Sequence, residues 1–364
     1  MFDELEKLLA RLVEVPAPFG YEDRLIGVVR DELKPYVDDM KIDTMGNIIG
    51  TKKGTSDKAP RVMVAAHMDE CGFVVKCIEP SGYLRFFNLG YLGENIMHAQ
   101  RVVVTTEKGS YYGVIGVKSF HITPADKWRA VQPQDQMYID VGAKSKEEAE
   151  EMGIKPGSIV TFDRSLTRLG KGEIVAGKAL DDRIGLLIMI ETMKRLAKLK
   201  HKATVHPVAT VQEEAGLRGA KVATYTLNPD MAIVLEITVS GDTPDTEFRE
   251  APVIIGNGPA IKVMDLIPSI GQGTIAHPAV RDWLVDTAET QKIPFQLEVM
   301  PGVSTDAAII HQTRSGVPTC VLSVPTRYTH SPVETLSLND TENAIRLLTA
   351  ALQNLDDDFS LSRI

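Results

Sequence analysis

The sequence predicts an α/β fold: a mixed β-sheet sandwiched by helices, with a small β-barrel domain inserted into it. Segments with helical spacing alternate with short buried runs near the start and in the second half of the 364-residue chain. This alternation indicates a sheet covered by helices. Between these regions, short runs rich in valine, tyrosine and phenylalanine indicate an all-β unit. We therefore predict a discontinuous main domain of residues 1–71 and 166–364, with residues 72–165 as the inserted barrel.

Each predicted element depends on its apolar spacing and on the residues that end it. Leucine and valine at helical spacing predict helices, proline ends them, and uninterrupted apolar runs predict buried strands. Before the insert these are helices over 3–14 and 25–33, a hairpin over 41–52 and a strand over 61–66. The insert carries one predicted helix, over 146–152. After it we predict helices over 182–199, 278–291, 306–313 and 341–355, and strands over 203–211, 231–235, 295–300 and 319–324.

The composition argues against several classes of protein. The net charge is −9 and no long basic run occurs, which argues against nucleic acid as a partner. The three cysteines form no CxxC pair, which disfavours a disulfide scaffold and fits a reducing compartment. The N-terminus is acidic and amphipathic, unlike a signal peptide, and no apolar run reaches the roughly 18–20 residues of a membrane helix. We expect a cytoplasmic protein with no membrane partner.

Five short motifs carry histidines or carboxylates that suit metal chemistry. Four follow a strand-like apolar run, whereas Asp181-Asp182 opens a helix. Because ligands bind beyond the carboxyl ends of strands in open α/β sheets, we expect these motifs to converge at one edge. The motifs are His67-Met68-Asp69-Glu70, Asp181-Asp182, Glu213-Glu214, Glu236 and His330.

Each motif alone has an ordinary explanation, such as a helix cap at Asp181-Asp182 or a salt bridge at Glu236. Together they offer two histidines, three carboxylates and a spare glutamate, which is a workable set for two divalent ions sharing one carboxylate. The three carboxylates and a bridging hydroxide would balance two such ions. A metal pair acidifies the bridging water and polarises the scissile carbonyl. The unligated Glu213 would then act as general base.

At these motifs the chain resembles the self-assembling tetrahedral metallo-aminopeptidases, which include glutamyl and deblocking aminopeptidases. The motifs occur in the order typical of that family and span roughly residues 5–355. The resemblance therefore implies a zinc-peptidase-like catalytic domain that releases N-terminal residues from short peptides. The matching segments are 66–70, 179–185, 211–216, Glu236, 305–307 and 328–332.

The resemblance implies a role for each matching residue. One ion would be held by His67, Asp181 and Glu236, and the other by Asp181, Glu214 and His330. The ions would be zinc or cobalt, with manganese also compatible. Asp69 would orient His67, Glu213 would be the base, and Asp306 would lie near the substrate's free amino end. The barrel would serve in dimerisation, and twelve subunits built from dimers would close into a hollow tetrahedral homo-oligomer.

Three positions depart from the usual pattern of the family. Ser304 stands where glycine is common, Glu236 where aspartate is frequent, and Asp182 where asparagine is frequent. We assign the bridging role to the first residue of the Asp181-Asp182 pair. His121, in the insert, is interpreted as a surface or interface residue.

Three other functions stay open. A related metal-dependent amidase or deacylase would share the ligands but recognise an acyl or carboxylate group instead of a free amine. A glycoside hydrolase would need two opposed carboxylates and no metal, and aromatic residues for a sugar platform make up only 6% of the chain. A metal-free structural homologue would lack bound ions.

Overall fold

The computed structural model describes residues 2–363, which form a large mixed sheet with helices on both faces and a closed barrel. The helices are α1 Asp3–Glu14, α2 Asp23–Leu33, α3 Glu94–Met97, α4 Lys146–Glu151, α5 Leu180–Leu196, α6 Arg218–Leu227, α7 Pro278–Thr290, α8 Ala307–Ile310 and α9 Leu338–Asn354. The predicted fold class is therefore confirmed.

The strands divide between the sheet and the barrel. Those before and within the barrel are β1 Asp39–Ile42, β2 Ile48–Thr51, β3 Val62–His67, β4 Gly72–Ile78, β5 Leu84–Leu89, β6 Arg101–Thr105, β7 Ser110–Ile115, β8 Ile139–Asp140 and β9 Ile159–Phe162. Those after it are β10 Thr167–Arg168, β11 Ile174–Gly177, β12 Val205–Thr210, β13 Met231–Val239, β14 Ala260–Ile267, β15 Gln272–Ile275, β16 Gln296–Pro301, β17 Thr319–Arg327 and β18 Glu334–Ser337.

The centre of the sheet is parallel, and this positions the site. The strand order is β1-β2-β12-β3-β13-β17-β18-β11-β10, with β14, β15 and β16 attached beside β17. The pairs β12–β3, β3–β13 and β13–β17 are parallel, so the carboxyl ends of four strands lie at one edge. In this register Thr210 is opposite His67, and Ser323 is opposite Glu236.

Alternate residues of the central strands pack on opposite faces of the sheet. Val64 and Ile233 join the core formed with α1, α2, α5, α7 and α9. Met63 and Ala232 join a smaller core formed with α6 and α8. Strands that are buried on both faces are continuously apolar, which is why they can be recognised in the sequence.

The barrel has its own core. Six antiparallel strands close in the order β4-β5-β8-β7-β6-β9, and Phe73 packs edge-to-face against Phe86 and Phe162 inside it. The division of the chain at 71/72 and 165/166 stays a prediction, although the barrel strands run from Gly72 to Phe162. Within residues 2–363, no helix is long and apolar enough to cross a membrane.

Several elements could not be predicted from apolar spacing. The elements α6, β10, β11, β14, β15 and β18 were not anticipated, and α8 is shorter than the helix expected over 306–313. The strand β14 was missed because it buries Lys262 and Asp265 among its apolar residues, which breaks the pattern of a core strand.

Candidate active site

The structure brings the five predicted ligands and Glu213 together beyond the carboxyl ends of the central parallel strands. Each comes from a different part of the chain: His67 from the end of β3, Asp181 from the start of α5, Glu213 and Glu214 from the turn after β12, Glu236 from within β13, and His330 from the loop after β17. The edge predicted from the sequence is therefore the edge at which these side chains lie.

Asp181 lies between the two histidines. Its Oδ1 is 3.0 Å from Nε2 of His67, and its Oδ2 is 3.3 Å from Nε2 of His330. A second carboxylate accompanies each histidine: Glu236 Oε1 lies 3.8 Å from His67 Nε2, and Glu214 Oε1 lies 3.6 Å from His330 Nε2. The geometry thus consists of two adjacent groups of three side chains that share Asp181.

The opposite ring nitrogen of each histidine faces a backbone carbonyl. Nδ1 of His67 is 3.1 Å from the Asp69 carbonyl oxygen, and Nδ1 of His330 is 2.9 Å from the Tyr91 carbonyl oxygen. A carbonyl only accepts, so each Nδ1 carries the proton and each Nε2 lone pair is left to face the carboxylates. Metal-binding histidines are typically fixed in this way.

These separations fit metal ligands. With zinc bonds of about 2.0–2.1 Å, two ligand atoms of a tetrahedral ion lie about 3.3 Å apart. The oxygen-to-nitrogen distances around Asp181 are 3.0 and 3.3 Å, and those to Glu236 and Glu214 are 3.8 and 3.6 Å. Without a cation, lone pairs of oxygen and neutral nitrogen would face each other, so the donor set fits divalent ions.

Asp182 is a second acidic neighbour of His67, and its contacts separate it from Asp181. His67, Asp182 and Glu236 also form a group that could hold a metal ion. However, Asp182 Oδ2 accepts from the backbone N–H of His67 at 3.3 Å, and Oδ1 accepts from that of Gly185 at 3.0 Å. Asp182 is thus used in fixing the start of α5, which favours Asp181 as the shared ligand.

Asp69 holds the turn that carries Glu213 and Glu214. Its two carboxylate oxygens accept from the backbone N–H groups of Glu213 and Glu214, each at 2.9 Å. Its carboxylate is 3.6 Å from Nδ1 of His67, farther than its carbonyl oxygen. Asp69 therefore contacts the histidine chiefly through its backbone, while its side chain fixes the position of the expected base.

The carboxylates outnumber the protein cations at this edge. Burial raises the pKa of Glu213 well above its usual value; His67 opposes this, while Asp306 and Glu214 add to it. Burial also raises the pKa of Glu236, with further repulsion from neighbouring carboxylates. A buried negative charge is costly unless it is paired, so this excess calls for additional positive charge.

The histidines respond in the opposite direction. Burial lowers the pKa of His67, but Glu236 and Asp181 outweigh burial, so the pKa lies well above its usual value. Burial also lowers the pKa of His330, but nearby carboxylates, Asp181 above all, raise it by more. The pKa of His330 therefore lies above its usual value. In the metal-free protein protons would partly supply the missing positive charge, and divalent ions would replace them.

A buried ion-pair network supports the site from behind and was missed in the sequence. Glu70 Oε2 lies 2.7 Å from Lys178 Nζ, and Glu70 Oε1 lies 3.2 Å from Arg183 Nη2; all three side chains are at most 5% exposed. Glu334 accepts from the backbone N–H groups of Asp181 and His330 at 3.0 and 2.8 Å. Glu70 is the last residue of the His67-Met68-Asp69-Glu70 motif and Glu334 lies four residues after His330, so their positions in or near the motifs were the available signal.

We expect Glu70→Gln to destabilise the fold strongly. The change leaves two buried cations without their counter-charge, which typically costs about 3–5 kcal/mol. Urea unfolding should show this as a lower midpoint. The matched control is Glu107→Gln, which breaks the exposed Lys155–Glu107 pair and should leave the midpoint unchanged. Equal midpoints for the two variants would contradict a supporting role for the network.

Two predicted positions lie outside this cluster. Asp306 is 2% exposed and its Oδ2 accepts from the Thr210 hydroxyl at 2.6 Å, while Oδ1 has no hydrogen-bond partner within residues 2–363. Burial raises its pKa to about 6. Its contact with the substrate amine stays a prediction. His121 is exposed on a short turn beside Phe120 and does not line the cleft described next.

A cleft of about 780 Å³ opens onto the ligands. Apolar side chains line one part of it, including Ile237, Ile267 and Ile270, and the barrel contributes Phe87 and Tyr91 to its rim. A cleft of this size suits a small molecule or a few residues of a peptide. The barrel therefore forms part of the cleft as well as a separate folded unit.

Comparison with known proteins decides the family. The M42 glutamyl aminopeptidase family matches residues 46–347 of the chain. The chain belongs to this family. It is thus an aminopeptidase, a hydrolase of peptides, as the resemblance implied.

Individual relatives match this M42 chain over nearly its full length. The lysyl aminopeptidase of Pyrococcus furiosus is 40% identical over 96% of this chain and 97% of its own. The structure of aminopeptidase APDkam598 from Desulfurococcus kamchatkensis has a TM-score of 0.92 at 40% identity, covering 98% and 96% of the two chains. The TET1 peptidase of Pyrococcus horikoshii, which can assemble into a tetrahedron or a large octahedral shell, has a TM-score of 0.84 at 33% identity, covering 96% and 100%.

Proposed function

We propose that the chain is a dinuclear metal-dependent aminopeptidase that releases N-terminal residues from short peptides. The observation that carries this proposal is the position of Asp181, whose two oxygens face Nε2 of His67 and Nε2 of His330 at 3.0 and 3.3 Å. The first ion would be held by His67, Asp181 and Glu236, and the second by Asp181, Glu214 and His330. Zinc and cobalt suit these ligands best, and manganese is compatible.

The protein side chains have separate tasks in the reaction. When bound, the two ions supply a water of lowered pKa and polarise the scissile carbonyl. Glu213 accepts the water's proton and delivers it to the leaving amine, as a general base and then a general acid. Burial raises the pKa of the Glu213 carboxyl above its usual value. Asp69, through its bonds to the backbone of Glu213 and Glu214, holds the base at a fixed distance from the ligands.

Metal removal should abolish activity reversibly. We expect exhaustive chelation to eliminate hydrolysis of aminoacyl reporter substrates, and zinc, cobalt or manganese to restore it, because the water then regains its lowered pKa. The measurement is a panel of reporters with different N-terminal residues, assayed apo and with each metal. Cleavage of N-acylated compounds alone would identify an amidase or deacylase instead. Metal-independent hydrolysis of β-glucans would identify a glycoside hydrolase.

We also propose that the chain assembles into a homo-oligomer, a dodecamer built from dimers. The similarity to a TET1 peptidase that forms a tetrahedron supports this, as do the large apolar side chains exposed on the barrel, Tyr112, Phe120, Ile122 and Trp128. Light scattering in solution should give about twelve times the 39.9 kDa of one chain. A monomer at micromolar concentration would contradict the assembly without affecting the metal site.

A further inference from the structure

One thiol lies beside the second group of predicted ligands and has no part in the reaction described above. Cys71 Sγ is 3.9 Å from Nδ1 of His330. Cys71, Glu214 and His330 each offer one ligand atom, and the three atoms lie within 4.8 Å of one another. The two other cysteines lie elsewhere: Cys77 is exposed on the barrel and Cys320 is fully buried in the sheet.

The surroundings hold the thiol in this position. Cys71 lies in the segment between β3 and β4, directly after Glu70, which is anchored to Lys178 and Arg183. On the other side, a side chain added at Gly90 would lie 2.3 Å from Cys71 Sγ, so the backbone there closes against the sulfur. The thiol is therefore held towards Glu214 and His330 rather than free to turn away.

The space beside the thiol suits a single cation. A cavity of about 10 Å³ lies against Cys71, Glu214 and His330. The carboxylates of Asp181 and Glu334 also line it, as does Lys178, whose charge is paired with Glu70. The cavity is about the size of one water molecule. With zinc bonds of about 2.3 Å to sulfur and 2.1 Å to nitrogen, sulfur and nitrogen ligands of a tetrahedral ion lie about 3.6 Å apart. One ligand atom from each of Cys71, Glu214 and His330 lies within 4.8 Å of the other two, so a small shift of the side chains would bring all three into bonding range of one cation.

We propose that Cys71, Glu214 and His330 form a binding site for soft, thiophilic divalent cations, with cadmium as the clearest example. Thiolate ligands select soft cations, whereas the carboxylates and imidazoles of the neighbouring site also accept manganese. Binding releases the thiol proton to solvent and forms the bond from sulfur to the cation. The inference rests on the proposed function, because Glu214 and His330 are the ligands assigned to the second ion.

Sharing these ligands makes the two occupants mutually exclusive. A soft cation held by Cys71 takes Glu214 and His330 from the second assigned ion, leaving the ion held by His67, Asp181 and Glu236 in place. Binding of a soft metal here would therefore inhibit hydrolysis, and this inhibition would depend on Cys71. We expect cadmium to displace one manganese ion per chain rather than to add a third cation.

The test uses the full-length oligomer with the exposed thiol removed, so that Cys77 cannot bind cadmium itself. The parent is Cys77→Ser and the test variants add Cys71→Ser or Cys71→Ala. Each protein is loaded with manganese, titrated with cadmium chloride and monitored by thiolate-to-cadmium absorbance in the ultraviolet. Bound manganese is then measured after gel filtration. We expect the parent to develop the absorbance and to lose one manganese per chain, and both Cys71 variants to lack the absorbance.

The outcomes separate this inference from the proposed function. Absence of the absorbance in the parent, or its persistence in both Cys71 variants, would overturn the thiol site. Two manganese ions bound per chain in all three proteins before cadmium is added would support the proposed function in either case. Conversely, a cadmium absorbance that depends on Cys71 in a protein that binds no manganese would support the thiol site and contradict the dinuclear proposal.

Discussion

Glu213→Gln should reduce kcat by about 10²–10⁴-fold while the protein keeps its metal ions, because general-base catalysis contributes that much. The amide cannot accept a proton from the water, yet it has nearly the shape of the carboxylate. The backbone N–H of Glu213 that bonds Asp69 is unchanged by the substitution. The measurement is steady-state kinetics on an aminoacyl reporter, with metal content determined on the same samples.

The neighbouring glutamate provides the matched control. Glu214→Gln alters an adjacent residue in the same turn, also held by Asp69. We expect this variant to lose affinity for the second ion, so that added metal partly restores its activity. Added metal should have no such effect on Glu213→Gln. Full activity of Glu213→Gln with its ions bound would contradict the assignment of the base.

Asp181→Ala should have the largest effect on metal content, because this side chain lies close to both histidines. Removing it takes a ligand from each ion and the negative charge shared between them, so we expect both ions to be lost at metal concentrations that saturate the unaltered protein. Hydrolysis should fall to background. The measurement is elemental analysis after gel filtration, with circular dichroism to verify that the variant folds.

The adjacent aspartate discriminates between the two possible ligands. Asp182 bonds the backbone N–H groups of His67 and Gly185, and we assign it no ion. Asp182→Asn keeps an oxygen acceptor there and should retain metal, although the start of α5 will be less stable. Loss of metal in Asp182→Asn with retention in Asp181→Asn would transfer the bridging role to Asp182.

Much of this site could be predicted from sequence because of how parallel sheets are built. Continuous apolar runs such as Val62–Ala66 can be read as buried strands, and the polar residue that follows each one lies at the same edge. His67 and Glu236 were therefore expected to be neighbours although 169 positions separate them. The resemblance of the motifs to a known family added the assignment of ligands to each of the two ions, which the spacing of the residues alone did not provide.

The supporting contacts could not be predicted, since they depend on atoms rather than on residue types. The sequence suggested that the Asp69 side chain orients His67, whereas its carbonyl oxygen makes the closer contact at 3.1 Å. The carbonyl that faces His330 belongs to Tyr91, 239 residues away in the inserted barrel. Backbone acceptors are present at every position of a chain, so no pattern of side chains marks the ones that a fold will use.

The buried charges show the same limit. A glutamate such as Glu70 is usually read as a solvated residue, and its pairing with Lys178 is visible only once the chain has folded. The barrel rim at Phe87 and Tyr91 is another example, because aromatic residues in the insert were read only as strand-forming residues. The barrel rim completes the site from a segment that carries no catalytic motif.

The most direct test of the dinuclear site is anomalous diffraction at the metal absorption edge, from crystals grown with zinc. We predict two peaks per chain, about 3.5–4 Å apart, on either side of the Asp181 carboxylate. One should lie against His67 and Glu236, and the other against His330 and Glu214. A single peak, or peaks in which Asp181 is not shared, would contradict the account.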